Sequence, residues 1–197
     1  ELITQQDKYD GVRLYIDATF HTVRQRIQID VGFGDIVIPA VQKLDYPILL
    51  EGMQVPVIQA YSIETVIAEK FQAMIELSVA NSRMKDFFDL WVIGHQFEFD
   101  GELLARAIKA TFDRRKTALP IQPPLALTGT FSSDQNKQTQ WKAFTKRIHS
   151  RGPGVSEGLD QICAFLNGLF MPLFLALSSG SSFKLTWPPG GPWEPLK

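Results

Sequence analysis

YSIETVIAEKFQAMIELSVANSRMKDFFDLW, residues 61–91, decides how this chain is read. Apolar residues recur at three- and four-residue spacing in both halves, which predicts two helices buried in a core. Ser62 is a natural N-cap, and Glu64 stands in the first turn, where the helix dipole favours a carboxylate. The second helix is expected over residues 82–94. On a wheel started at Ile63, Val66, Leu77, Lys70, Met74 and Ile67 span about 300° through about 40°, placing Lys70 inside the apolar stripe. Glu69 and Gln72 fall on the far side and read as ordinary solvent residues. An unpaired ammonium is costly to bury, so Lys70 must snorkel, pair or line a polar cleft. Asp86 and Asp89, three apart, share a helix face among Phe87, Phe88, Leu90 and Trp91, which makes them partners for Lys70 or Arg83. Two readings stay open. The cluster is a structural ion pair pinning two helices, or it backs a phosphate cleft in which Lys70 binds an anion and the aspartates orient basic residues.

Upstream, the pattern is that of strands. Val12, Leu14, Ile16 and Ala18 alternate with Arg13, Tyr15 and Asp17, and Ile27, Ile29 and Val31 alternate with Gln28 and Asp30. Joined through His21-Thr22, these runs predict an antiparallel pair. GFGD breaks the strand, IVIP is expected to resume it, and YPILLEG and VPVIQAY read as short edge segments punctuated by proline. Downstream, Asp100 should cap a third helix over residues 101–115, followed by a proline-dense loop and helices in QWKAFTKRI and SEGLDQICAFLNGLF. The closing WPPGGPWEPLK is expected to wrap or fray outside the core. The fold class is therefore α+β: a partial antiparallel or mixed sheet over residues 1–60, then an α-helical domain over residues 61–197.

The 197 residues are 45% hydrophobic and 21% charged with a net charge of −1, so no global field draws the chain to nucleic acid or a membrane. Any polyanion contact must be local. Cys163 is single and cannot form an internal disulfide, which suits a reducing compartment. The apolar run at residues 162–177 is shorter than a membrane span and holds Asn167, Gly168 and Pro172. It is expected to pack on protein. His21, His95 and His149 show no metal spacing, and no P-loop or dinucleotide fingerprint occurs. Arg114, Arg115 and Lys116 suit a helix C-terminus.

Asp30 projects from its strand opposite Ile27, Ile29 and Val31. Such a carboxylate is solvent decoration or, on a central strand, an oxygen ligand for Mg2+ in phosphoryl transfer. Asp17 shares the ambiguity, and Asp35 reads as a turn cap.

The block from Tyr61 to Ile93, an Ala-Glu-Lys on one helix followed by Lys-Asp-x-x-Asp-Leu on the next, resembles the abortive-infection nucleotidyltransferases of the AbiEii/AbiGii toxin type. IQIDVGFGDIVIP resembles the preceding strand of that family, and ATFDRRKTALP and QWKAF its downstream helices. The resemblance implies a polymerase-β-like nucleotidyltransferase sheet and transfer of NMP from NTP with Mg2+. An RNA such as tRNA is the implied acceptor and a cognate antitoxin the implied partner, in a cytoplasmic phage-defence setting with no membrane role. It implies Asp30 and Lys70 as catalytic residues, Asp30 as metal ligand, and Lys70, Arg83, Lys85, Asp86 and Asp89 as substrate-binding residues. The family also uses a Gly-Gly or Gly-Ser turn followed by Asp-x-Asp, and no such motif occurs in these residues. The sequence, opening without Met, is thus expected to be the later part of a longer protein and inactive alone, with a non-catalytic nucleotide- or protein-binding module as the alternative.

Overall fold

The computed structural model describes residues 2–5, 9–149 and 156–196. The chain divides into two compact units, Glu1–Ile36 and Val37–Lys197.

The first unit is a three-stranded antiparallel sheet in sequence order: β1 (Leu2–Gln5), β2 (Tyr9–Phe20) and β3 (Val23–Gly32). The turn at His21-Thr22 sets Phe20 opposite Val23, with His21 in the left-handed region at φ 52°. That register stacks Val12, Leu14 and Ile16 against Val31, Ile29 and Ile27 on one face. It places Arg13 opposite Asp30 and Asp17 opposite Arg26 on the other. The alternation predicted this pair. The expected resumption at IVIP does not occur, because β3 ends at Gly32 and residues 33–38 are not strand.

The second unit opens with a hairpin, β4 (Gln42–Asp45) and β5 (Val57–Ala60). YPILLEG is the loop between them, whereas VIQA is the strand expected in VPVIQAY. Among the described residues six α-helices follow: α1 (Ile63–Leu77), α2 (Met84–Gln96), α3 (Gly101–Arg114), the single turn α4 (Gly129–Ser132), α5 (Gln135–His149) and α6 (Leu159–Ser179). Both expected caps form. Ser62 Oγ accepts from Thr65 N–H, and Asp100 Oδ1 accepts from Leu103 N–H. Ser62 Oγ also donates to the Ile38 carbonyl, while Thr65 Oγ1 accepts from Ile38 N–H, tying the helix start to the segment before β4. Ser62 is fully buried. Ser62→Ala is therefore expected to cost about 1–2 kcal/mol, read as a lowered thermal melting midpoint.

The face that α1 buries differs from the one its periodicity suggested. Thr65, Ile67, Ala68, Phe71, Gln72 and Met74 are inward, so Lys70 borders the stripe and is not at its centre. Gln72, expected in solvent, is buried and donates from Nε2 to Thr117 Oγ1 at 2.7 Å. Glu69 is likewise not a solvent residue, because Arg115 pairs with it. The displacement follows from packing. α1 lies along α3, and Phe71 stacks on Phe170 of α6 with centroids 3.9 Å apart.

α6 is longer than its apolar run indicated, and by length and composition alone it could cross a membrane. Its face of Ile162, Leu166, Leu169, Phe170, Leu173 and Phe174 is instead buried in the core of this unit, as the packing expectation held. The C-terminal tail corrects another expectation. Leu185–Trp187 forms β7 between β6 (Phe99–Asp100) and β8 (Glu194–Pro195), and Trp187 is a core residue.

Candidate functional site

α1 and α2 bring three of the expected residues into direct contact. Lys70 Nζ lies 2.7 Å from Asp86 Oδ1 and 2.7 Å from Asp89 Oδ2. The three-residue spacing on α2 presents both carboxylates to one ammonium, as the shared-face argument required. Lys85, one turn before Asp89, approaches Asp89 Oδ2 at 2.5 Å from the solvent side. Burial by itself would lower the Lys70 pKa. The hydrogen bonds that Lys70 donates to Asp86 and Asp89 outweigh it and leave the pKa above the ordinary lysine value. Lys70 is therefore a fixed cation at neutral pH. All three side chains keep partial exposure, so the cluster lies at an accessible edge of the core.

Arg83 occupies the position preceding α2 and is exposed. A cleft of about 490 Å³ opens beside it, with Lys85, Asp86, Gln140, Phe144 and Arg147 in its wall. Lys70, Lys85, Asp86 and Asp89 are thus assembled around the start of α2, with Arg83 next to them.

Asp30 belongs to the first unit. Arg13 grips it from across the ladder, Nε to Oδ1 at 2.6 Å and Nη2 to Oδ2 at 3.0 Å, and Gln28 Nε2 donates to the same carboxylate. The Arg13 guanidinium, helped by Gln28, holds the Asp30 pKa below the usual carboxylate value. Asp17 is held the same way by Arg26. Mg2+ is held by one or two carboxylates, with waters and substrate phosphates completing its shell. Here both oxygens of Asp30 face a guanidinium, and among the described residues no group of three His, Cys, Asp or Glu side chains gathers. In this structure Asp30 is engaged by Arg13 and Gln28.

Two further polar groups take their place in the helical unit. Arg115, at the end of α3, pairs with Glu69 of α1 and so does more than offset a helix dipole. Their separation of 46 positions left no local signal. Cys163 is buried with its thiol against the Ala126 carbonyl, and burial pushes its pKa up to about 12. It is an inert core residue.

The chain is an α+β protein with cross-strand charge pairs in its strands and, among its helices, one lysine set between two aspartates. The family described as nucleotidyl transferase AbiEii toxin, type IV toxin–antitoxin system, matches residues 1–162. The chain belongs to that family. No curated protein and no solved structure matches it.

Proposed function

We propose that, in its complete form, this protein is a nucleotidyltransferase-like toxin that moves an NMP from an NTP to an acceptor hydroxyl, an RNA such as tRNA being the acceptor class. Its setting is phage defence in the cytoplasm, under a cognate antitoxin. Family membership across residues 1–162 supports this reading, and the observation that carries it is the Lys70 ammonium set between Asp86 and Asp89 at an open edge. In transfer, the acceptor oxygen attacks the α-phosphorus, the bond to the bridging oxygen breaks, and pyrophosphate departs carrying negative charge. Lys70 meets the phosphates, Asp86 and Asp89 keep it extended toward them, and Arg83 and Lys85 add positive charge where negative charge collects. Residues 1–60 form the remainder of the catalytic β domain in this reading, and residues 61–197 the helical domain.

Asp30 is the third carboxylate of the proposed site. Mg2+ on Asp30 enters only together with an Asp-x-Asp pair, which these 197 residues do not contain. The grip of Arg13 on Asp30 favours a second reading: a non-catalytic helical module binding nucleotide or protein.

The test is to read the coding sequence ahead of Glu1 and assay both forms with α-labelled NTPs and total RNA. The present 197 residues are expected to be inactive. A longer product with an Asp-x-Asp strand is expected to label RNA, and Asp30→Asn in it to abolish labelling. A longer product that carries the motif yet labels nothing with any NTP would leave the binding module as the function.

A further inference from the structure

β3 is an outer strand of its sheet, and among the described residues only β2 pairs with it. The His21-Thr22 turn closes on Phe20 and Val23, which makes that pair a hydrogen-bonded one. Alternation from there turns the N–H and C=O of the odd-numbered β3 residues toward β2, and those of Arg24, Arg26, Gln28, Asp30 and Gly32 outward. Gln25 Nε2 donates to one of these outward groups, the Arg26 carbonyl, at 3.1 Å. Proteins guard such an edge by keeping it short, breaking it with proline or a bulge, charging it, or covering it. β3 has ten residues and no proline, keeps one register against β2 from end to end, and is exposed at every residue except the half-buried Val31.

Charge is the guard that is left, and its order along β3 is self-complementary. When two β3 strands meet antiparallel, outward residues must face outward residues, so only every second register is open. Registers that oppose Arg26 to Arg26, or Asp30 to Asp30, set like charges together at the two-fold axis. The register centred on Gln28 sets Arg26 opposite Asp30 twice, sets Ile27 opposite Ile29 twice on the other face, and uses the strand from Arg24 to Gly32. The register centred on Ile27 also opposes an arginine, Arg24, to Asp30, but it leaves Ile29 facing Gln25. Within each hairpin Arg26 already meets Asp17, and Asp30 meets Arg13. The row across four strands then reads Asp17, Arg26, Asp30, Arg13, alternating in sign. The Arg26 and Asp30 side chains are 64% and 46% exposed, and Asp17 takes two of the five N–H groups of the Arg26 guanidinium, so both have room for a second partner.

We propose that β3 pairs edge to edge with the β3 of a second copy of this chain, antiparallel and centred on Gln28, joining two three-stranded sheets into one. The interface is isologous, each copy offering the same strand. Main-chain hydrogen bonds supply the affinity, and the Arg26–Asp30 pairs select the register. The two-fold axis runs normal to the sheet and keeps both apolar faces on one side, so Ile27 and Ile29 of one copy continue the exposed stripe of Leu14, Ile16, Ile27 and Ile29 of the other. One strand pairing is smaller than a standard interface, so the dimer is weak. The inference does not depend on the nucleotidyl-transfer reading.

Sedimentation equilibrium of the 197-residue chain over a concentration series should show a monomer–dimer equilibrium that weakens as salt screens the charge pairs. Arg26→Glu and Asp30→Arg are each expected to raise the Kd at least tenfold, because each sets like charges opposite one another. Mixed one to one, the two variants should associate near wild-type strength. The new carboxylate of one then faces the new guanidinium of the other, while the unchanged Asp30 and Arg26 face each other. Gln28→Cys lies at the two-fold axis and should oxidise to a disulfide-linked dimer, whereas Ile27→Cys should not, and the buried Cys163 does not compete. The cysteine arm alters one exposed residue and needs no charge reversal. Three results would each overturn the proposal: a chain that stays monomeric up to about 1 mM, a mixture no tighter than its two components when both keep the wild-type circular dichroism, or linkage through Ile27→Cys in place of Gln28→Cys. A dimer that sulfate strengthens and Leu14→Ser/Ile16→Ser abolishes is stacking of the apolar faces, and overturns it as well.

Discussion

Lys70→Met is expected to destabilise the helical unit by roughly 2 kcal/mol and, in a catalytically complete form of the protein, to abolish nucleotide transfer. Breaking a fully buried pair costs about 3–5 kcal/mol, because a charge is left without its partner. Here the side chains of Lys70, Asp86 and Asp89 are 23%, 14% and 19% exposed, so water recovers part of that cost. Asp89 also keeps Lys85. For a chain of this size the loss corresponds to a fall of about 4–8 °C in melting midpoint. Lys70→Met/Asp86→Leu should regain most of the stability, since it removes the stranded carboxylate and leaves apolar groups beside Ile67 and Met74. It should regain no transfer. If the double variant recovers both stability and transfer, Lys70 has no phosphate role and the cluster is architecture alone. The pH dependence has a definite sign. The Lys70 pKa is raised on folding, so its contribution is complete below the ordinary value of 10.5 and is lost as pH rises through the folded-state value. The stability gap between wild type and Lys70→Met should therefore close in alkali, and a gap that widened there would contradict the ion-pair assignment.

What the sequence disclosed depended on whether the deciding partner was local. The alternation of Val12–Ala18 and Ile27–Val31 and the caps Ser62 and Asp100 act within a few residues, and each marked its element correctly. The Lys70–Asp86–Asp89 contact was accessible because spacing alone puts both aspartates on one face. Arg13 opposite Asp30 was also implicit, since a turn pairing Phe20 with Val23 carries that register along the whole hairpin. The phase of α1 was not. A hydrophobicity wheel gives weight to Val66 and Leu77, whereas the face that is buried includes Thr65, Ala68 and Gln72. Only the distant Thr117 hydroxyl makes Gln72 an interior residue. Proline and glycine content likewise concealed the tail, where aromatic rings supply the binding energy and the turn residues merely bring them in.

That tail carries the other large expected effect. Trp187→Ala should cost about 3–5 kcal/mol and lower the melting midpoint by roughly 6–20 °C, more than any change in the ion-pair cluster. Trp187 is 3% exposed, meets Phe165 and Trp193 edge to face, and donates its indole N–H to the Gly94 carbonyl at 2.8 Å. Its backbone register with Phe99 joins β7 to the strand ahead of α3. Gly191, at φ 68°, lies so close over the indole that a Cβ there would fall 2.4 Å from the ring. The hydrogen bond is the smaller part of the effect. Gly94 O also accepts from Gly190 N–H, so Trp187→Phe leaves no orphaned carbonyl and should cost only about 1–2 kcal/mol. The family match ends at residue 162, yet Leu166, Phe170, Phe174 and Trp187 complete the core around Phe71, Phe87 and Leu90. The helices that hold Lys70 and Asp86 therefore lean on residues beyond the matched segment. Removing residues 182–197 should destabilise the unit at least as much as Trp187→Ala, measured by circular-dichroism melts of the two variants. Melting within a degree or two of wild type in both would show that the tail only lies against a core complete without it.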